Sequence, residues 1–271
     1  MLHEAYRRKA LQILFKYLNQ KNMANKKTSP KITRVEGGET PSSSTAKETK
    51  TFVASDESKA KARNLRIIAI ISWILAIGCE IGAIILLRQV PVNTVWLIVL
   101  ILVALIFAVI GSVLWKKANR FDPASEKDKV KFFIQNQLGM IISIIAFLPL
   151  VILIFTNKNM TGKQKGLVGT IAVVALLVAG IAGVDFNPPS QEQYLEQTEE
   201  VKSLMDGVDH VYWTKSGTRY HLYSDCSYIT TDRTDEIFEG TVVQARELKN
   251  ISQLCDRCRR RVIQEKGLDV E

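Results

Sequence analysis

Apolar residues in this chain are gathered into one block, residues 66–184, instead of being spread as the core of a water-soluble domain requires. The block contains four runs, 67–87, 95–115, 138–156 and 167–184, of 18 to 21 residues each, all flanked by charged or polar positions. At about 1.5 Å per helical residue, each run matches the roughly 30 Å hydrocarbon layer of a bilayer. Backbone groups in lipid must pair within their own segment, and period-two alternation is absent, so the pattern predicts four transmembrane helices and not a barrel. Trp96 and Trp115 sit at run ends, where amphipathic rings favour the interface. Small residues recur at four-residue intervals, Ala175, Ala179 and Gly183 in one run and Gly78 and Gly82 in another, as close helix approach requires. Pro149 interrupts the third run and predicts a kink or a local polar rescue.

On either side of the block the pattern changes. Residues 1–22 place Tyr6, Ala10, Ile13, Leu14 and Tyr17 at helical spacing, with Arg7, Arg8, Lys9 and Lys16 on other faces. This reads either as a basic amphipathic helix or as a non-native extension ahead of a start at Met23. Residues 23–65, rich in Ser, Thr, Lys, Glu and Gly, bury too little apolar surface to offset their ordering entropy and read as a disordered basic linker. Beyond Pro188-Pro189, residues 185–206 read as an acidic juxtamembrane helix and spacer, with Ser190 as N-cap and Gly207 as its stop. Residues 207–271 switch to short strands and turns. There 211–214 and 219–222 predict a β-hairpin and 245–249 a short helix. The expected fold class is therefore membrane all-α, four transmembrane helices followed by a small α+β module.

Charge sharpens this picture. The first 66 residues hold 15 Lys/Arg against 6 Asp/Glu, a net of +9 that equals the net charge of the whole chain. A basic arm suits an anionic leaflet or nucleic acid, and equally a solvated tail. Ten Lys/Arg lie close to the run ends on the side of the arm and of the 116–131 loop, against Arg88, Lys158, Lys163 and Lys165 on the other. That asymmetry predicts both termini to be cytoplasmic. No cleavable signal segment precedes the first apolar run, so an anchored protein is expected.

Of the four cysteines, Cys79 lies within an apolar run, and Cys226, Cys255 and Cys258 lie in the last fifty residues. Three is an odd number for a disulfide framework, and the cytoplasm keeps thiols reduced. His221-x4-Cys226 and Cys255-x2-Cys258 supply two ligand pairs with the spacing of a tetrahedral zinc centre built from two knuckles. Four protein ligands close such a site, which makes it structural and not hydrolytic. About sixty residues also form too small a core to hold together comfortably alone, and Zn2+ would contribute the missing folding free energy. The alternatives are a thiol redox pair at Cys255 and Cys258, or unliganded cysteines. His210 is the nearest rival ligand, and Arg257, Arg259, Arg260 and Arg261 form a basic cluster that fits either phosphates or a solvated face.

The run from Val211 to His221, followed by Cys226-Ser227-Tyr228-Ile229, Glu239-Gly240-Thr241-Val242 and Leu254-Cys255-Asp256-Arg257-Cys258, resembles a small bacterial metal-binding module. That module is appended to secreted nucleases and to membrane proteins, and is similar to the zinc domain of the Ada DNA-repair protein. The likeness covers about fifty of the 271 residues. It implies His221, Cys226, Cys255 and Cys258 as ligands and a bacterial inner-membrane location. The Ada domain uses four cysteines, one of them a methyl acceptor, whereas this chain has a histidine first, which argues against methyl transfer.

Glu80 is the one ionisable side chain inside the four runs. Charge is costly there, so an ion or proton site is one reading, and a structural carboxyl bonded to Ser72, Ser112, Ser143 or Thr170 is the other. No phosphate loop, paired catalytic carboxylates or nucleophile with a base is found, and an enzyme is not expected. The function expected is a multi-pass membrane anchor for a cytoplasmic zinc-stabilised interaction or sensing module. The lipid bilayer and a protein partner follow as contacts, with nucleic acid less favoured. The rivals are an ion-coupled transporter using Glu80 and a thiol redox enzyme.

Overall fold

The computed structural model describes residues 30–35 and 52–267. The amphipathic-helix reading of residues 1–22, and the choice between Met1 and Met23, lie outside the described residues.

Four long helices form a bundle: α1 (Asp56–Leu87), α2 (Thr94–Phe121), α3 (Lys129–Thr156) and α4 (Gly162–Gly183). Each starts where a side-chain oxygen satisfies a free backbone N–H: Ser55 for α1, Asn93 for α2, Asp128 for α3, and Thr161 with Gln164 in a capping box for α4. All four are long and apolar enough to cross a membrane. Helix α3 continues as one element through Pro149, which lies on its exposed side.

The outer face of the bundle is apolar, unlike that of a soluble one. The buried positions are mostly small: Ala69, Ala76 and Ala83 in α1, Ala104 and Ala108 in α2, Ala172, Ala175 and Ala179 in α4. Many bulky residues face outward, with Ile74 62 %, Ile106 57 % and Leu177 58 % exposed, while Leu97, Ile101, Phe147, Leu150 and Ile154 fill the interior. Small residues let backbones approach. A Cβ on Gly139 would lie 2.8 Å from Ser112 Oγ, and one on Gly183 would collide with the backbone of Gly139 and Met140. Ser143 Oγ donates across the same α3–α4 seam to Ala179 O at 3.0 Å. The Gly183 end of the predicted small-residue stripe is thus used. The Gly78–Gly82 stripe is not: Gly78 faces nothing within 4 Å, and Gly82 meets only Leu100.

At 32 residues, α1 is about 48 Å long, well beyond its apolar run. Because the helices alternate in direction, the surplus turns of α1, α2 and α3 emerge on one side. They are tied there by Arg66 to Asp122 (2.8 Å), Trp115 Nε1 to Gln135 O (2.7 Å) and Asn119 Nδ2 to Asn136 Oδ1 (3.2 Å).

On that side sits a small module comprising α5 (Gln191–Leu204), β2 (Val211–Thr214), β3 (Glu236–Gly240), α6 (Val242–Lys249) and α7 (Asp256–Lys266). A further strand, β1 (Lys31–Arg34), comes from the segment expected to be linker, and helix α1 also begins within it. The sheet order is β1-β3-β2, with β1 parallel and β2 antiparallel to β3. The predicted hairpin is corrected: β2 pairs with β3, where Trp213 lies over Phe238, and its contact with 219–222 shrinks to one bridge, Tyr212 to His221. Segment 219–222 is diverted because its backbone also serves the loop at Leu254.

The module's core joins Trp213, Tyr220, Ile237 and Val262 with the three cysteines and with Val201 of α5. Helix α5 is therefore more than a spacer. Its first turn is fixed to the bundle by Tyr194, whose hydroxyl donates to Arg120 O at 2.7 Å, and by Glu192, which accepts from Ser125 Oγ and Glu126 N.

Candidate metal centre

Three pieces of chain converge on the centre. The backbone of Tyr220 and His221 is zipped between two neighbours. His221 exchanges both hydrogen bonds with Tyr212 at 2.7 Å, while Tyr220 N donates to Gln253 O at 3.0 Å and Tyr220 O accepts from Cys255 N at 2.9 Å. The first ligand is thereby placed in register with the third. Cys226 lies in the turn that follows, its Sγ facing the Tyr228 backbone N–H. Helix α6 ends at Asn250 in the left-handed conformation (φ 55°), which an Asn tolerates, and this reversal leads into the loop carrying Cys255. Cys255 is the N-cap of α7 and Cys258 lies in its first turn, so two of the three sulfurs sit at the positive end of a helix.

His221, Cys226, Cys255 and Cys258 are all buried, and their ligand atoms lie within 4.8 Å of one another. His221 Nδ1 is 3.7 Å from Cys258 Sγ. A tetrahedral centre with metal–sulfur bonds of about 2.3 Å and metal–nitrogen bonds of about 2.1 Å sets an N···S edge of about 3.6 Å. The quartet is close enough to hold a metal ion. A cavity of 190 Å³ lined by Cys226, Cys258, Arg257 and Arg261 reaches it from the surface.

Burial, and secondarily the Arg219 charge, lowers the His221 imidazole to about 4, so at neutral pH the ring is uncharged and keeps a lone pair for a metal. Burial raises the thiols of Cys226 and Cys258, the latter to about 12, and Cys255 adds to the rise of both. A divalent ion would reverse that shift for these two sulfurs.

The neighbours sort themselves. His210 stands apart from the quartet, 3.6 Å from Glu239 and edge-on to Tyr212. Asp256 pairs with Arg219 and Asp225 with Arg261, both at 2.8 Å. In the arginine cluster, Arg259 pairs with Glu200, Arg261 also binds Glu265, and Arg257 lies over the Tyr228 ring at 5.8 Å.

Glu80 is buried in the bundle, 6 % exposed, and makes no hydrogen bond among the described residues. The expected hydroxyl partners are engaged elsewhere: Ser72 with Phe107 O, Ser143 with Gly139 O and Ala179 O, Thr170 with Gly166 O. Ser112 Oγ is buried with no hydrogen-bond partner among the described residues. Thr170 and Ser143 bond the carbonyl one turn back on their own helix, and Ser72 and Ser143 reach a carbonyl of the neighbouring helix.

Two features carried no assignment from sequence. Arg246, 2 % exposed, bonds Gln193 Oε1 at 2.9 Å and stacks over Tyr194 at 4.8 Å, while the Glu247 carboxyl faces Ser58 of α1. Together they seat α6 on the bundle. Strand β1 had a legible signal, the β-branched run Ile32-Thr33 and Val35 between Pro30 and Gly37-Gly38. The chain matches no protein family, no curated protein and no solved structure. The fold brings the four motif residues, His221, Cys226, Cys255 and Cys258, together.

Proposed function

We propose that the four helices span a membrane and carry a zinc-organised module that serves as a platform for interaction or sensing, without catalysis of its own. The observation that carries this reading is the convergence of one imidazole and three thiols, from three separate segments, onto one buried point. The apolar outer face of the bundle, rich in exposed Ile, Leu and Val, supports a lipid surround. The motif likeness and the Lys/Arg asymmetry support a bacterial inner membrane with both termini in the cytoplasm, where thiols stay reduced. Elemental analysis of the full chain purified in detergent tests the metal: one zinc per chain is expected, falling to near zero in Cys255→Ser/Cys258→Ser. Full occupancy in that double variant, or a Cys255–Cys258 disulfide in its place in the native chain, would overturn it.

One observation favours a second reading. A buried carboxyl without a hydrogen-bond partner in mid-bundle is costly, and such a group is retained where an ion or proton uses it. Glu80→Gln in reconstituted vesicles separates the two, because an anchor keeps its fold and its partner while an ion-coupled carrier loses flux.

A further inference from the structure

Strand β1 is held unlike its neighbours. On one side of β3, β2 is locked by core side chains, Val211 at 0 % and Trp213 at 1 % exposure. On the other side β1 contributes little to the core: Ile32 is 49 % exposed, and Lys31, Thr33 and Arg34 include no fully buried side chain. Val35, just beyond the strand, packs at the edge of the module's core, and β1 itself is held by main chain and one side-chain bond. Lys31 N donates to Asp235 O at 3.1 Å and Val35 N to Glu239 O at 3.0 Å, and Thr33 Oγ1 donates to the Glu236 carboxylate. The register sets Lys31 opposite Glu236 and Arg34 opposite Glu239, a basic strand along an acidic one. Residues 36–55, about twenty in number, separate it from α1 and span up to roughly 66 Å when extended, so β1 can leave without moving any helix.

These are the marks of strand addition, in which backbone bonds supply affinity and alternate side chains supply selectivity. We propose that the outer edge of β3, residues 235–239, is an acceptor site for a short, extended, basic peptide segment of a partner protein. Residues 31–35 fill it in cis as a tethered occupant. The inference rests on the reading of the module as an interaction platform and names the partner's chemistry. Because residues 31–35 belong to the same chain, a partner strand enters only when it offers more contacts or is itself locally concentrated.

The test uses the full chain in detergent and a fluorescein-labelled peptide of residues 29–36, followed by anisotropy. Wild type should bind it weakly. Thr33→Pro/Val35→Pro removes the Val35 donor and weakens the cis strand, and should bind at least tenfold tighter. Adding Glu236→Lys/Glu239→Lys should abolish that gain, as should scrambling the peptide. A proline variant that keeps its zinc and its Trp213 fluorescence yet gains no peptide affinity overturns the proposal. So does a proline variant that loses zinc or fold, since β1 would then be an integral strand. Zinc-free wild type would sink the metal reading alone, and the anisotropy would still decide the acceptor site.

Discussion

The ligand quartet was legible because ligand type and spacing are chemical requirements, stated in the sequence by His221-x4-Cys226 and Cys255-x2-Cys258. Its environment was not, since burial and neighbouring charge come from the fold. That environment gives a pH dependence. The unfolded chain protonates His221 near its ordinary value of 6.5, whereas the folded site resists until about 4, so the unfolded state binds more protons between these values. This group's contribution to stability is intact above pH 6.5 and is lost as pH falls toward 4. Urea midpoints of the metal-free protein at pH 7.5 and 5.0 should show the lower value at 5.0. Metal retention should fall in the same direction, because protons compete for the thiols as well. Zinc uptake at pH 7 should release protons from the raised thiols of Cys226 and Cys258 and none from the imidazole, measurable in weakly buffered solution. Glu80 shows the limit of reading at this scale: its depth was plain, but the partners of Ser72 and Thr170 depend on helix rotation and local carbonyls.

At the scale of elements, the four helices were readable because length and uniform apolarity leave one solution in lipid. The hairpin was misassigned because adjacency in sequence favoured 219–222 as the partner of β2, while Glu236–Gly240 offered Ile237 and Phe238 to pack on. Helix α5 was read as a spacer from its acidic composition, although Tyr194 and Val201, seven residues apart, point into two different bodies. Two predictions follow from packing. Gly183→Leu should separate α3 from α4 and cost on the order of 1–3 kcal/mol or more, read as a lowered unfolding midpoint in detergent, while Gly78→Leu, with open space around it, should be near neutral. Arg246→Ala strips the Gln193 bond and the cation stacked on Tyr194. It should cost roughly 2–4 kcal/mol and speed proteolytic cutting near α5, with zinc content unchanged.

Over the whole molecule, the basic arm and the C-terminal module were separate regions on the page of the sequence, and nothing in local pattern announced that residues 31–35 return across two hundred positions to β3. Long-range pairing of this kind is set by complementarity at a distance, which periodicity cannot report. The apolar outer face of the bundle makes its own prediction. The full chain should aggregate when detergent is removed and stay monodisperse in nanodiscs, because its large Ile, Leu and Val side chains have no other cover.

Tyr194 grips the bundle at Arg120, and Val201, about 10 Å further along the same helix, is sealed into the body that contains the sulfurs. A rod fastened at both ends passes on displacement. Thinning the bilayer tilts long helices, and a tilt of α2 would be delivered through that rod to the thiol cluster. Ion exchange at the centre should therefore run at different rates in short-chain and long-chain lipids, and this difference should vanish once Tyr194→Ala loosens the fastening.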